Sequence, residues 1–275
     1  MKIGPYETNN VYHADSYKAI KLIPDKSIDC IYTDIPYLYL DGGSSNNDLG
    51  QRTAKKRIEL MGAEQVYEEN KGTTRSEALR IAKNKKRASL DYISIQDGID
   101  YSIFDEFVRV LKKINIFIWC SKLQILDIMK YFVDEKGCYF ELLTWNKTNP
   151  TPTTNNSWLP DVEYCLYFRE KGVAYNDGYE LKSKWYTSPI NKKDKDKFLH
   201  PTCKPVPLIE RHLLHTTQPD DIVADFFMGG GSTCVACKNI NRQYIGFELV
   251  EKWYNIAKNR LNNIDGNGQM SLFTF

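Results

Sequence analysis

Short apolar runs alternate with amphipathic helical patterns along most of the chain, and this alternation constrains the fold more than any other feature. The runs have the length of buried strands, and helical periodicity of apolar residues lies between several of them. We predict six strands: Ile28 to Thr33, Asn115 to Cys120, Tyr139 to Trp145, Val162 to Phe168, Asp221 to Asp225 and Gln243 to Glu248. Alternation of this kind is typical of a mostly parallel sheet with helices packed on it, so the sequence predicts an α/β sandwich.

The composition is that of an ordinary globular protein. With 275 residues, of which 42% are hydrophobic, the chain can bury a core as a single domain over residues 1–275. Its net charge of +2 does not by itself indicate nucleic acid, so any such binding has to come from the distribution of charge. Seven cysteines without regular spacing, no signal-like N-terminus and no long apolar run predict a cytoplasmic protein that does not span a membrane.

One cysteine pair needs a separate interpretation. Cys234 and Cys237 have the spacing of metal ligands, but positions three apart also share one face of a helix, and the pair lies in an apolar stretch. We therefore predict that the two cysteines pack in the core and that the protein has no metal site.

Two segments interrupt the alternation. Residues 41–92 begin with a Gly, Ser and Asn stretch and carry many charges of both signs, and an insertion this long in a compact domain is usually functional or mobile. Residues 169–199 mix lysines with Tyr, Trp and Phe. Those lysines predict either a solvated face or a positive, aromatic surface that contacts phosphates and bases.

A glycine-rich loop follows the fifth predicted strand. That strand ends in Asp225, and three consecutive glycines from Gly229 to Gly231 precede a helical pattern. Such a loop brings backbone amides close to a ligand at a helix N-terminus, and Glu248, which ends the next strand, can accept hydrogen bonds from a ribose. These residues predict a site for an adenosine-bearing cofactor, either a methyl donor or a dinucleotide such as NAD, unless the loop is only a tight turn.

The tetrapeptide Asp34-Ile35-Pro36-Tyr37 lies at the end of the first predicted strand. In an open α/β sheet the carboxylate of Asp34 would therefore project into the crevice at the carboxyl edge, where ligands bind. Standing alone, the tetrapeptide would more often be a turn that closes a strand.

Together the two motifs resemble those of the amino-group DNA methyltransferases. Residues 34–37 resemble the catalytic motif Asp/Asn/Ser-Pro-Pro-Tyr/Phe/Trp, and residues 225–233 resemble the cofactor motif Asp-Pro-Phe-x-Gly-Ser-Gly-Thr-Thr. Residues 200–205 also resemble the His-Pro-Thr-x-Lys-Pro segment of that family. The catalytic motif comes first, as in the β class. The resemblance implies a Rossmann-like, circularly permuted S-adenosylmethionine-dependent methyltransferase sandwich with insertions for DNA recognition.

The resemblance also assigns roles to individual residues. Asp34 and the backbone carbonyl of Ile35 would hold the exocyclic amine of a flipped base, with Pro36 shaping the loop and Tyr37 stacking on the base. The implied cofactor contacts are Asp15, Asp34, His200, Thr202, Lys204, Asp225, Phe227, Gly229, Gly231, Thr233 and Glu248. The implied base and DNA contacts are Trp145, Lys147, Lys184 and Trp185. We expect residues 41–92 to be a mobile catalytic or DNA-contacting insertion and residues 148–199 to be the target-recognition region.

The leading interpretation is a site-specific methyltransferase for the N6 amino group of adenine in double-stranded DNA, with N4 of cytosine as the nearest alternative. Three departures from the family pattern, Ile35, Phe226 and Gly230, motivate a second alternative, an inactive nucleic-acid-binding subunit of the same fold. A nicotinamide-dependent oxidoreductase is a third. Methylation at C5 of cytosine is disfavoured, because that reaction needs a nucleophilic cysteine, typically in a Pro-Cys pair that this chain lacks.

The C-terminal segment, residues 265–275, begins with an apparently flexible Asp-Gly-Asn-Gly stretch. The following Gln269-Met270-Ser271-Leu272-Phe273 resembles the peptide with which bacterial proteins bind the sliding clamp. The alternative is a frayed end or a segment that packs on its own core. The resemblance to the β class also implies a possible homodimer.

Overall fold

The computed structural model describes residues 1–37, 98–150, 152, 158–173, 175–190 and 203–262. The predicted insertion at 41–92 and the tail at 265–275 lie outside this range. So do several residues with predicted roles, namely His200, Thr202, Gln269, Leu272 and Phe273.

The described residues form strands that alternate with helices for most of the chain. The strands are β1 (Lys2–Ile3), β2 (Tyr6–Glu7), β3 (Asn10–His13), β4 (Cys30–Asp34), β5 (Asn115–Cys120), β6 (Tyr139–Lys147), β7 (Val162–Arg169), β8 (Trp185–Ser188), β9 (Ile222–Asp225) and β10 (Gln243–Glu248). The α-helices are α1 (Ser16–Ala19), α2 (Ile103–Val110), α3 (Ile125–Met129), α4 (Val206–Thr216), α5 (Ser232–Asn239) and α6 (Glu251–Asn262). Short 3-10 helices occupy Ile20–Leu22 and Glu180–Lys182, and a π-helical segment, Lys130–Glu135, continues α3.

One sheet of eight strands forms the centre, in the order β3-β10-β9-β4-β5-β7-β6-β8. Its pairs are parallel except those that β7 makes with β5 and β6. The six predicted strands are all present in it, so the predicted α/β sandwich with a mostly parallel sheet is confirmed. The sequence analysis missed β3 and β8, which are four residues long and mix polar with apolar side chains.

Alternate residues of each strand pack into two separate cores, because successive strand side chains point to opposite faces. On β5, Ile116 and Ile118 join the core beneath α2 and α3, whereas Phe117 and Trp119 join the core beneath α4, α5 and α6. Both cysteines of the Cys-x-x-Cys pair are buried in the second core, as the packing interpretation predicts. No helix within the described residues has the length and hydropathy needed to cross a membrane.

The order of the strands locates a crevice at the centre of the sheet. From β4 the chain continues to β5 on one side, and from β9 it continues to β10 on the other. Ligands of open α/β sheets bind beyond the carboxyl ends of the strands at such a switch point. Asp34 ends β4 and Asp225 ends β9, so the fold brings the two predicted motifs together there.

Candidate active site

A cavity opens at this switch point, and both motifs line it. All four residues of the catalytic tetrapeptide, Asp34 to Tyr37, contribute to its wall. Most predicted cofactor contacts that the structure describes also line it, namely Asp15, Lys204, Asp225, Phe227, Gly229, Thr233 and Glu248. Gly231 lies outside the lining, at the N-cap of α5.

The glycine loop takes a shape that other residues would resist. Gly229 and Gly231 have φ angles of 49° and 74°, in the left-handed region that favours glycine. A Cβ at Gly231 would lie 2.9 Å from the Cβ of Ala257 on α6. The loop is thus fixed between β9 and α6, and it presents its backbone toward the cavity.

Backbone amides hold the carboxylate of Glu248 in the wall of the cavity. Its Oε2 accepts from Gly229 N at 2.9 Å, and its Oε1 accepts from Val250 N at 2.8 Å. Burial raises the pKa of this carboxyl, although the amides lower it in part. The glycine loop and the end of β10 are therefore joined through one acidic side chain.

Asp225 is a second buried carboxyl group in the same wall. Its Oδ1 accepts hydrogen bonds from Thr33 Oγ1 at 2.9 Å and Phe227 N at 3.1 Å. Burial raises its pKa to about 7, because hydrogen bonds from Thr233, Thr33 and the Phe227 amide only partly offset the loss of solvation. A buried carboxyl group in this state favours a cationic ligand that would hold it ionised.

The residues of the cavity fit S-adenosylmethionine. The cofactor carries positive charge on its sulfonium and amino groups and hydroxyl groups on its ribose. Asp225 suits the cationic end, and Glu248, at the end of the adjacent strand, suits the ribose. The aromatic rings of Tyr37 and Trp119 line the same cavity and can face a cation.

Asp34, the first residue of the catalytic tetrapeptide, has different surroundings at its two carboxylate oxygens. Its Oδ2 accepts from Lys204 Nζ at 2.5 Å, and the same ammonium contacts Tyr37 Oη at 3.2 Å. Its Oδ1 is buried and has no hydrogen-bond partner among the residues that the structure describes. Burial raises the pKa of Asp34, and Lys204 counteracts this by favouring the ionised form.

The sequence analysis missed Glu163 at the start of β7. Lys204, whose side chain is only 5% exposed, lies 3.0 Å from Glu163 Oε2, and Lys147 Nζ lies 2.6 Å from Glu163 Oε1. Burial alone would raise the pKa of Glu163, but the two ammonium groups outweigh it and lower the pKa to about 2. The available signal was an acidic residue inside an otherwise apolar strand pattern.

A buried polar chain supports the floor of the cavity. Trp119 Nε1 donates to Tyr32 Oη at 3.0 Å. The same hydroxyl lies 3.1 Å from His212 Nδ1. Burial lowers the pKa of His212 to about 3, so the neutral imidazole can accept from Tyr32. The Lys204 ammonium lies 5.1 Å from the centroid of the Trp119 ring. The sequence analysis assigned no role to Tyr32 or His212.

The four predicted base and DNA contacts do not converge on the cavity. Trp145 is 1% exposed and donates to Ser188 Oγ at 2.9 Å, and Lys147 pairs with Glu163. Lys184 forms an ion pair with Glu141, and Trp185 is 59% exposed on β8, the last strand of the sheet. Their contacts with DNA stay predictions.

Two departures from the family motifs have a structural explanation. Phe226 stacks between Phe107 and Phe247, at centroid distances of 5.3 and 5.4 Å, so its side chain fills the core while the backbone continues into the loop. Ile35 is buried in the same core, and its N donates to Trp119 O at 3.2 Å. Neither substitution changes the acidic residues that line the cavity.

Comparison with known proteins finds type II methyltransferases. The type II methyltransferase M2.LlaDCHI of Lactococcus lactis subsp. cremoris is 28% identical, over 94% of this chain and 91% of that protein. The type II methyltransferase M2.DpnII of Streptococcus pneumoniae is also 28% identical, over 94% of this chain and 92% of that protein.

Solved structures show the same fold. The M1.HpyAVI–SAM complex has a TM-score of 0.59 at 24% identity and covers 92% of this chain and 98% of that chain. The cytosine-N4-specific PvuII DNA methyltransferase has a TM-score of 0.59 at 15% identity and covers 98% of this chain and 96% of that chain. The predicted Rossmann-like methyltransferase fold is therefore confirmed.

The family model described as DNA methylase, N6_N4_Mtase, matches residues 28–259, which include both motifs. The predictions of the family, of an S-adenosylmethionine-dependent DNA methyltransferase and of its cofactor are thereby confirmed, and the nicotinamide alternative is set aside. The chain belongs to the N6_N4_Mtase family of DNA methylases.

Proposed function

We propose that this DNA methyltransferase methylates the N6 amino group of adenine at specific sites in double-stranded DNA. The observation that carries the proposal is the state of Asp34, one oxygen of which binds Lys204 while the other has no partner in the described part of the chain. Such a carboxylate can accept a hydrogen bond from an exocyclic amine. N4 of cytosine is the second candidate, because the same geometry serves it and a structural neighbour is described as cytosine-N4-specific.

The chemistry requires the amine to become a better nucleophile. The lone pair of an exocyclic amine is delocalised into the ring, and hydrogen bonds from its N–H groups to fixed acceptors localise that pair on nitrogen. Oδ1 of Asp34 is one such acceptor, and the carbonyl of Ile35 is the second in our proposal. Catalysis then consists mainly of alignment and electrostatics, since no covalent enzyme intermediate is needed.

S-adenosylmethionine supplies an electrophilic methyl group when it is bound. As nitrogen gains the methyl group, its proton can pass to Oδ1 of Asp34, which is buried and close to the positive charge of Lys204. Tyr37 lines the cavity next to Asp34, where its ring can stack on a base that has left the duplex. We propose Asp15, Phe227, Gly229 and Thr233 as further cofactor contacts because they line the same cavity.

DNA recognition would use surfaces away from the cavity. We propose that Lys184 and Trp185 contribute to it, since both are exposed near the last strand of the sheet, where a cation and an aromatic ring can meet phosphates and bases. Residues 148–199 and the insertion at 41–92 are proposed to complete the recognition region, on the composition of their sequence. Trp145 and Lys147 would act on the base only indirectly, because their contacts are within the protein.

Incubation of the purified protein with methyl-labelled S-adenosylmethionine and unmethylated duplex DNA tests the function. Mass spectrometry of the digested nucleosides should show labelled N6-methyladenine. Labelled N4-methylcytosine would replace the proposed target and keep the mechanism. If the protein binds S-adenosylmethionine but labels no nucleoside over varied duplexes, the proposal is wrong and the alternative of an inactive binding subunit is favoured.

We further propose that the C-terminal peptide tethers the enzyme to a bacterial sliding clamp through Leu272 and Phe273, with Gln269 as the polar contact. The purified protein should bind a bacterial clamp, and replacing Leu272 and Phe273 by alanine should remove that binding without changing methyl transfer to short duplexes. Clamp binding that is absent, or that survives the double substitution, contradicts the proposal. A homodimer is also proposed, and sedimentation of the protein alone at several concentrations decides it.

A further inference from the structure

Four charged side chains form a continuous row that ends at the proposed reactive carboxylate. Lys147, Glu163, Lys204 and Asp34 alternate in charge, and the successive ion pairs measure 2.6, 3.0 and 2.5 Å. They come from β6, β7, the segment before α4 and β4, so only the complete fold assembles them. A charge placed this deep needs close partners, because desolvation penalises it.

The members of the row differ in how strongly their pKa values favour the charged form. Burial would lower the pKa of Lys204, but Asp34 and Glu163 outweigh it and raise the pKa, so this ammonium stays charged. The pKa of Glu163 is about 2, which makes it a poor proton acceptor at neutral pH. Asp34 is the carboxylate of the row whose pKa is raised, so of the two carboxylates it is the one that accepts a proton more easily.

Lys204 has three ammonium hydrogens and shares them among its neighbours. One carboxylate partner is Oδ2 of Asp34, and the other is Oε2 of Glu163. Without Glu163, the ammonium would have Asp34 as its sole carboxylate partner among the described residues, and both oxygens of Asp34 would compete for it. Because of Glu163, the ammonium of Lys204 forms ion pairs with two carboxylates and not with Asp34 alone.

We propose that Glu163 is a positioning residue for methyl transfer: acting through Lys204, it confines the ammonium to Oδ2 of Asp34 and keeps Oδ1 available for the target amine. Lys147 balances the charge of Glu163 from the other side. The inference rests on the proposed function, since it gives Oδ1 of Asp34 the role of amine acceptor.

Other titratable groups around Asp34 have to be considered in a pH experiment. They are Tyr32 on β4, Tyr37, Cys120 on β5, Cys165 on β7 and Asp225 on β9. Burial raises the pKa of Cys120 to about 12 and those of Tyr32 and Cys165 well above their usual range, so these groups stay neutral below pH 9. Asp225 does titrate near pH 7, but it is present in each variant and therefore cancels in comparisons between them.

The test is the pH profile of single-turnover methyl transfer at saturating DNA and cofactor. Glu163→Gln should slow transfer at neutral pH by about 10-fold or more and move the acid limb to lower pH, because Lys204 then acts on Asp34 alone. Lys204→Met should move the acid limb to higher pH, because a buried carboxylate without its cation is harder to ionise. In the double variant Glu163 has no ammonium through which to act, so its plateau rate should match that of Lys204→Met, while its acid limb lies lower because the direct repulsion between Glu163 and Asp34 is gone.

Glu170→Gln is the matched control. Glu170 follows the other end of β7, roughly 23 Å along the strand, where it accepts a hydrogen bond from Ile114 N. Its profile should equal that of the unmodified enzyme. If Glu163→Gln does not fold, Lys147→Met replaces it, and the expected shift is then upward because Glu163 holds Lys204 more strongly.

Provided that the unmodified enzyme is active, the inference is wrong if the acid limb of Glu163→Gln, or of its replacement Lys147→Met, stays at the pH of the unmodified enzyme. An additional loss of plateau rate caused by Glu163→Gln in the Lys204→Met background also overturns it, since Glu163 would then position the amine acceptor by another route. An unmodified enzyme that methylates no base contradicts the proposed function instead, so the two failures are distinguishable.

Discussion

Replacing Asp34 by alanine should lower the rate of methyl transfer by about 1000-fold or more, while S-adenosylmethionine still binds. The substitution removes the hydrogen-bond acceptor and the acceptor for the amine proton in one step. Lys204 keeps Glu163 as a carboxylate partner, so its buried charge is not left isolated and the fold should persist. Single-turnover labelling of duplex DNA measures the rate, and calorimetry measures cofactor binding.

Asp25→Ala provides a control for the loss of an aspartate in general. Asp25 pairs with Arg109 on the surface, away from the cavity, and its removal should leave transfer within a factor of about two, as expected for an exposed pair. An Asp34→Ala variant that retains more than a tenth of the activity would show that another group accepts the target amine. The proposed role of Oδ1 would then be wrong.

Replacing Asp225 by asparagine should greatly weaken S-adenosylmethionine binding and yet stabilise the protein without cofactor. The asparagine oxygen can still accept from Thr33 and Phe227, but the charge that favours the cationic ligand is gone. The pKa of Asp225 is about 7 in the folded state, against the usual 3.8. Between about pH 4 and 7 the unfolded chain therefore releases this proton while the folded chain retains it.

Because the folded state binds more protons in this window, Asp225 makes the folded state less stable as pH rises to 7, by at most about 4 kcal/mol, and its contribution is constant above that. The stability difference between Asp225→Asn and the unmodified protein should grow from pH 4 to 7 and then level off. Denaturant unfolding without cofactor measures it, with Asp220→Asn as the control at an exposed position before β9. A difference that does not depend on pH would refute the argument.

The sequence predicted the acidic ends of the parallel strands because the signal is local. An apolar run followed by an acidic residue marks the carboxyl end of a strand, and parallel strands bring those ends to one edge. Asp34, Asp225 and Glu248 were all found in this way, and the structure places all three at one cavity. Buried strands that contain few polar residues are easy to recognise from the pattern of their apolar residues.

Glu163 escaped prediction because its position depends on long-range pairing. β7 runs antiparallel between β5 and β6, so its beginning lies at the edge where β5 ends. The sequence of β7 does not indicate in which direction the strand runs or with which strands it pairs. Only the register, which places Glu163 opposite Trp145, brings its carboxylate beside Lys147 and Lys204.

The face of the sheet on which the Trp145 side chain lies could not be predicted from the sequence either. The family resemblance assigned Trp145 to the base pocket, but the alternation along β6 directs it into the core beneath α4, where its indole bonds Ser188. A shift of register by one residue would reverse the faces, and a motif does not specify that register. Pairing with the neighbouring strands determines that register.

The strand order has a consequence for the time at which the enzyme can form during synthesis. β3 pairs only with β10 among the described strands, and one neighbour of β4 is β9, so two strands that are synthesised early wait for partners that are synthesised much later. A nascent chain that ends before Ile222 contains the catalytic tetrapeptide but neither the glycine loop nor the partner of β3. The pocket therefore closes only after β10 has been synthesised, and a chain that ends before β9 lacks the glycine loop with which to bind cofactor beside Asp34.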